Sequence, residues 1–311
     1  MIDVAVAVIQ RADGQVLLTQ RKGEQDFAGS WEFPGGKFEI GESIEQALVR
    51  ELHEEIGIEP VISTHLITIS WRYAHKAVRL HVWGVTQWQN EPVAKENQPM
   101  RWFSLSELSG LSFPPANRGI VSALTLPQAY SITGAFADTG ELIARVKGAL
   151  SLGAGVIQLR AKLPVADYLA AAQAILPLVQ AAGGHLLLNA PVDVWRQLPQ
   201  AGLHLSSDKL WALCERPVPK DILFTASVHN LEQMEQAQLL GVDALLVSPV
   251  LPTQSHPDEP ALGWQSAAEL VAQATVPVYA LGGVGLPDLS QALTCGFQGV
   301  AGIGSFWKLS V

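Results

Sequence analysis

At 311 residues and a formal charge of −9, the chain is long enough for two domains that each bury a core, and its acidic balance argues against a nucleic-acid polymer as partner, because neutralising a phosphate backbone takes basic surface. Free nucleotides remain open, since a bound metal ion can supply the positive charge. The two cysteines, Cys214 and Cys295, stand far apart without metal-ligand spacing, which fits a reducing cytoplasm, offers no zinc site and reads both as buried apolar residues.

The N-terminus has no basic leader, and its alternation predicts strands at residues 4–9 and 16–19 around an Asp13-Gly14 hairpin turn. A helix follows: Ser43 can cap its start, Ile44, Ala47, Leu48, Leu52 and Ile56 recur at helical spacing, and Gly57 can end it in the left-handed conformation. On that helix Glu51, Glu54 and Glu55 fall within an arc of about 100°. Carboxylates that crowded repel unless a cation sits among them, and an all-oxygen ligand set beside substrate phosphates suits Mg²⁺, or Mn²⁺, rather than zinc. The face therefore reads as a phosphate-hydrolysing metal site. Strands at 66–71 and 80–88 complete an α+β pattern.

From about Tyr130 the texture changes, and short apolar strands alternate with Ala- and Leu-rich helical segments. Eight strands, at 129–133, 156–159, 186–189, 202–205, 223–228, 244–248, 278–282 and 300–304, each followed by a helix, predict a (β/α)8 TIM barrel, because parallel strands need crossovers and the count closes a ring. The apolar stretch 169–195 is broken by Gln173, Pro177, Gly183-Gly184 and His185, which predicts a helix and a buried strand rather than a membrane span. Pro127 marks the boundary, giving domains 1–126 and 127–311, with a cytoplasmic location expected and no membrane partner.

The run from Gly36 to Ile58, with Glu42 and Arg50-Glu51-Leu52-His53-Glu54-Glu55-Ile56-Gly57 at fixed spacing, resembles the Nudix box. The likeness extends to the MutT-type branch, the 8-oxo-dGTP diphosphatases that clean the nucleotide pool. Glu32-Phe33-Pro34-Gly35-Gly36-Lys37, Lys95-Glu96-Asn97-Gln98-Pro99 and Phe113-Pro114-Pro115-Ala116-Asn117 each resemble a segment of that branch. The resemblance implies a Nudix fold, a metal shell of Glu51, Glu54, Glu55, Glu96 and the Gly35 carbonyl, and water attack on the β phosphorus of a nucleoside triphosphate. Glu51 or Glu96 would activate that water, and Arg50 would orient the helix carboxylates. Arg21 and Lys37 are expected to contact phosphate. Asn117 would read the edge of an oxidised guanine, with Phe33 lining the base pocket, and Lys76 stands where the family has an arginine near the nucleotide.

The second half resembles the thiamin phosphate synthase and TenI family. Ser131-Ile132-Thr133, Gln158-Leu159-Arg160-Ala161-Lys162, Ala226-Ser227-Val228-His229 and Ser248-Pro249-Val250-Leu251-Pro252-Thr253 carry the likeness. Arg160 and Lys162 form its basic pair, and the glycines around Gly283 and Gly304 would cradle the phosphate of a small molecule through backbone N–H groups. The sequence departs from a synthase where Mg-pyrophosphate would be held: Asn189 is followed by Ala190, and Lys209 occupies the place of a second aspartate. A lysine expected after the sixth strand corresponds to His256 or a neighbour. His229 can shuttle a proton, as in the TenI thiazole tautomerases. The expected protein is thus a Mg²⁺-dependent pyrophosphohydrolase of nucleoside triphosphates, preferring oxidised guanine nucleotides, joined to a TenI-like barrel. Two other readings stay open: a hydrolase of a thiamin-pathway pyrophosphate with a tautomerase barrel, and a non-catalytic sensor of a phosphate ligand.

Overall fold

The computed structural model describes residues 1–23, 26–253 and 260–307, which divide into two compact units, Met1–Thr125 and Leu126–Val311. His256 lies outside the described residues.

The first unit holds two sheets. β1 (Ile2–Ile9) runs parallel to β6 (Ala77–Gln89) and antiparallel to β4 (Gly35–Lys37), and β5 (Glu59–Arg72) closes the edge in the order β4-β1-β6-β5. β2 (Val16–Gln20) lies between β3 (Trp31–Glu32) and β7 (Met100–Phe103) in a three-stranded antiparallel sheet. β1 is buried on both faces because its period-two alternation serves two cores. Ala5, Ala7 and Ile9 meet Leu48, Leu52 and Ile56 of helix α1 (Ile44–Ile56), while Val6 and Val8 share the other core with Ile120 of α2 (Arg118–Thr125). The expected hairpin at Asp13-Gly14 is reduced to one bridge, Gln10 with Val16, after which the two strands enter different sheets.

The second unit is a closed barrel of eight parallel strands: β8 (Ala129–Ile132), β9 (Val156–Leu159), β10 (His185–Asn189), β11 (Gly202–Leu205), β12 (Phe224–Val228), β13 (Ala244–Val247), β14 (Val278–Leu281) and β15 (Gly299–Gly302). Helices α3 (Thr139–Ser151), α4 (Val165–Ala181), α5 (Val192–Trp195), α6 (Leu231–Leu239), α7 (Gly263–Val271) and α8 (Leu289–Thr294) supply crossovers. The expected helix after β11 is replaced by a 3₁₀ turn, Ser207–Ala212, followed by Pro217 and Pro219, which cannot continue a helix. Each strand turns alternate residues inward: Tyr130, Val156, Leu187, Ala244, Leu246, Tyr279 and Ala301 fill the barrel, while Leu159, Leu188, Leu203 and Val228 pack under the helices. Among the described residues no helix is long and apolar enough to cross a membrane. Cys214 is exposed and Cys295 half-buried, against the expectation of two buried thiols; Cys214 sits in the irregular segment after the 3₁₀ turn, where no core covers it.

Candidate functional site

Helix α1 is fixed at both ends. Ser43 and Gln46 form a capping box, and Gly57 ends the helix at φ 74°. Its buried face sits on β1, which presses Glu51 and Glu55 against β4. The Gly35 N–H donates to Glu55 Oε2 at 3.1 Å, and a Cβ on Gly36 would lie 2.2 Å from the Glu51 carboxylate, so only glycine leaves room there. Gly35 sits at φ 144°, where a Cβ would stand 2.1 Å from the Ala5 carbonyl oxygen.

Arg50 is the hub of the acidic face. Its Nε and Nη2 donate to the two oxygens of Glu42 at 2.7 and 2.8 Å, and Nη1 donates to Glu51 at 2.8 Å and Glu54 at 3.3 Å. The guanidinium holds the Glu42 carboxyl down at about 2. Glu54, 58% exposed, turns toward Arg50 and solvent, whereas Glu51 is 14% exposed and faces β4.

Residues 93–98 dock on the C-terminal end of α1. Val93 N–H donates to the Ile56 carbonyl at 2.9 Å, and Lys95 N–H and Gln98 Nε2 both reach the Glu55 carbonyl, at 3.0 and 3.2 Å. This carries Glu96, exposed at the turn, within electrostatic range of Glu55. Burial, then the charges of Glu32, Glu51 and Glu96, push the Glu55 carboxyl up to about 8 despite the Gly35 hydrogen bond. Among the described residues no three His, Cys, Asp or Glu side chains already stand as a metal-binding group, and Arg50 engages an oxygen of both Glu51 and Glu54. The donor chemistry nevertheless suits a hard divalent cation: oxygen ligands only, one of them a carboxyl raised first by burial and then by its neighbours' charge.

On its other side β4 borders a cavity of about 230 Å³. Arg21, Phe33, Gly35, Lys37, Lys76 and Asn117, all expected from sequence, line it together. Phe33 stacks on Phe113 with ring centroids 5.9 Å apart at 12°. Among the described residues the buried Asn117 side-chain oxygen has no hydrogen-bond partner. Two of these cations are already paired: Arg21, an expected phosphate contact, with Glu32, and Lys76, expected near the nucleotide, with Asp26 at 2.9 Å. Sequence reasoning assigned no role to Glu32, Glu42, Phe27 or Tyr73. Glu42 was visible as a fixed motif position, and Glu32 stood three residues before Gly35, but only the folded chain shows that they pair the two arginines.

In the barrel, period two places Ile132, Gln158, Asn189, His204, Ser227 and Leu281 inward at the C-terminal strand ends, where they line a cavity of about 700 Å³. A buried polar chain runs beneath it. Asn189 Nδ2 donates to Gln158 at 3.2 Å, Gln158 Nε2 to Tyr130 at 2.9 Å, and His204 bonds the hydroxyls of Thr225 at 2.8 Å and Ser227 at 3.1 Å. His229 Nδ1 lies 2.6 Å from the Ser248 carbonyl, so Nδ1 carries the proton of the neutral ring and Nε2 keeps its lone pair. Arg160, Gly283 and Gly304 line the same cavity. Lys162 is exposed and is not among the lining residues. Gly282 and Gly283 take φ 88° and 67°, and a Cβ on Gly283 would meet the Pro252 carbonyl oxygen at 2.5 Å.

The family model described as NUDIX domain matches residues 5–123, and the one described as thiamine monophosphate synthase matches residues 129–306. The first unit is 38% identical to an 8-oxo-dGTP diphosphatase of Escherichia coli over 123 residues, 40% of this chain and 95% of that protein. It is also 40% identical to the CTP pyrophosphohydrolase of the same organism, over 40% of this chain and 90% of that one. The second unit is 34% identical to a thiamine-phosphate synthase of a Roseiflexus species over 190 residues, 60% of this chain and 78% of that protein.

Proposed function

For a chain that belongs to the Nudix hydrolases through its first unit and to the thiamine monophosphate synthase family through its second, we propose pyrophosphohydrolysis of a nucleoside triphosphate, preferring an oxidised guanine base. The first unit is a hydrolase of phosphoric anhydrides. The observation that carries the substrate reading is the shared strand β4: Gly35 and Gly36 meet Glu55 and Glu51 and also line the cavity that holds Phe33 and Asn117. A base bound there leaves its phosphates at the carboxylates.

Glu51 and Glu55, with Glu54, Glu96 and the Gly35 carbonyl, are the residues that would hold Mg²⁺. When bound, the ion neutralises phosphate oxygens and lowers the pKa of a coordinated water. Arg50 orients Glu51 and Glu54, and Glu51, the least exposed of that pair, stands ready to take the proton of the attacking water. Phe33 offers an apolar wall to the base. The Asn117 oxygen, unpaired among the described residues, can accept the N7–H that 8-oxoguanine has and guanine lacks.

Pyrophosphate release from 8-oxo-dGTP, dGTP, CTP and a thiamin-type pyrophosphate tests this, with Glu51→Gln as the blank. We expect 8-oxo-dGTP to lead, and Asn117→Ala to cut its advantage over dGTP about tenfold, the worth of one buried hydrogen bond. Equal rates on 8-oxo-dGTP and dGTP would sink base recognition. Preference for CTP or the thiamin compound would move the substrate. In the barrel, the cavity at the strand ends and the Nε2 of His229, which has no partner among the described residues, support a phosphorylated small molecule as ligand, with His229 placed for proton transfer.

A further inference from the structure

Helix α1 ends in backbone carbonyls that it cannot pair itself, because the last four C=O groups of a helix find no N–H one turn ahead. Residues 93–98 take those of His53, Glu55 and Ile56. Lys95 Nζ donates to the His53 carbonyl at 2.8 Å, Lys95 N–H and Gln98 Nε2 donate to that of Glu55 at 3.0 and 3.2 Å, and Val93 N–H donates to that of Ile56 at 2.9 Å. Lys95 crosses the helix end so closely that a Cβ on Gly57 would stand 2.9 Å from its Cε.

Between these anchors the chain turns at Glu96. Asn97 takes φ 56°, a left-handed conformation that asparagine tolerates better than most residues. The Glu96 carbonyl accepts Lys22 Nζ, which holds the turn from a second side. Gln98 is the buried member of the segment, 8% exposed, and its Oε1 has no partner among the described residues, so the bond to the Glu55 carbonyl is what orients its amide. The residue gripped through its main chain is thus the one whose carboxyl lies within electrostatic range of Glu96. A ligand on a separate segment keeps no register with helix carboxylates unless its backbone is tied to that helix. We propose that Gln98 is a positioning residue of the metal site: its amide, docked on the main chain of Glu55, sets where the Glu96 carboxylate stands relative to the carboxylates of α1. The inference rests on Glu96 belonging to the metal shell of the proposed function.

Mn²⁺ titration of the full chain, followed by the paramagnetic resonance of the free ion, tests it in the parent, Gln98→Met, Glu96→Gln and the double variant. Methionine keeps the length and burial of the side chain and removes the donor; thermal melts establish that each form is folded. Gln98→Met should weaken Mn²⁺ binding about 10-fold in the parent but less than about twofold in the Glu96→Gln background, because a residue that acts through Glu96 then has nothing left to position. Asn97→Val strains the left-handed position on an exposed turn and should show the same background dependence, with Asn97→Gly retaining more affinity than Asn97→Val. That pair carries the test if Gln98→Met does not fold. Equal losses in both backgrounds overturn the inference, since Gln98 would then act on the helix and not on Glu96. Unchanged affinity in folded Gln98→Met, with binding weakened in Glu96→Gln, overturns it and leaves the metal shell intact. Unchanged affinity in Glu96→Gln removes Glu96 from the shell and the inference with it.

Discussion

His204 shows how one residue in the barrel ties pH to stability. Burial, and then the charges of Lys209 and Arg160, hold its imidazole down at about 3, against an ordinary value of 6.5. The unfolded chain takes up a proton as pH falls through 6.5, whereas the folded chain resists until about 3. The contribution is therefore complete above 6.5 and is lost on acidification at about 1.4 kcal/mol per pH unit between those values. His65 and His185 are also lowered by burial, so the parent alone cannot isolate one ring. Urea unfolding of parent and His204→Gln across that range should show the parent losing stability faster with acid; equal slopes would remove His204 from the account. At this scale the sequence was an uneven guide. It marked Glu51, Glu55, Phe33 and Asn117, which the fold gathers around β4. It gave no hint that Arg21 and Lys76 are already paired with Glu32 and Asp26, because ion pairs between distant segments leave no local pattern.

On the proposed reading the element that decides activity in the first unit is β4, three residues paired antiparallel with β1 at the sheet's edge. Its two glycines predict different failures. In Gly36→Ala the new methyl would press first on the Glu51 carboxylate, the end of a flexible side chain, so the strand should survive while the carboxylate must turn away. Hydrolysis should fall by about 100-fold or more, as when a catalytic group is displaced by an ångström, with little change in melting. Gly35→Ala instead meets the Ala5 carbonyl at a φ unsuited to an L side chain, so it should lower the melting temperature of the first unit as well. Loss of stability without loss of turnover in Gly36→Ala would contradict this placement of Glu51. Short strands of this kind were illegible in the sequence, since two or three residues hold no period. The first half of β5 was missed for another reason. Glu59, Ser63 and Thr64 are held by cross-strand bonds to β6 on an exposed edge, so no apolar alternation announces them. Helix α1 and all eight barrel strands were legible because each buries a face, which forces the period into the residues.

At the scale of the whole molecule, the question is where the second unit begins. Pro127 suggested a boundary, and strand β8 starts at Ala129, but the three residues before it are part of the barrel. Leu126 is 7% exposed in the inner core with Tyr130 and Tyr279, and its carbonyl accepts Gln298 Nε2 at 2.8 Å. The Pro127 carbonyl accepts the Tyr279 hydroxyl, and the Gln128 carbonyl accepts the Val300 N–H at 2.9 Å. These residues close the N-terminal end of the barrel, opposite the cavity. A fragment starting at Leu126 should therefore fold and keep the cavity at the strand ends. One starting at Ala129 loses the burial of Leu126, about 2 kcal/mol, and two or three hydrogen bonds of about 1 kcal/mol each. That sum, roughly 4–5 kcal/mol, is a large share of the stability of an ordinary domain. Urea midpoints of the two fragments measure it directly. Equal midpoints would mean that residues 126–128 only connect the units; a large drop for the shorter fragment would place them in the barrel's floor, as the hydrogen bonds of Leu126, Pro127 and Gln128 to Gln298, Tyr279 and Val300 require.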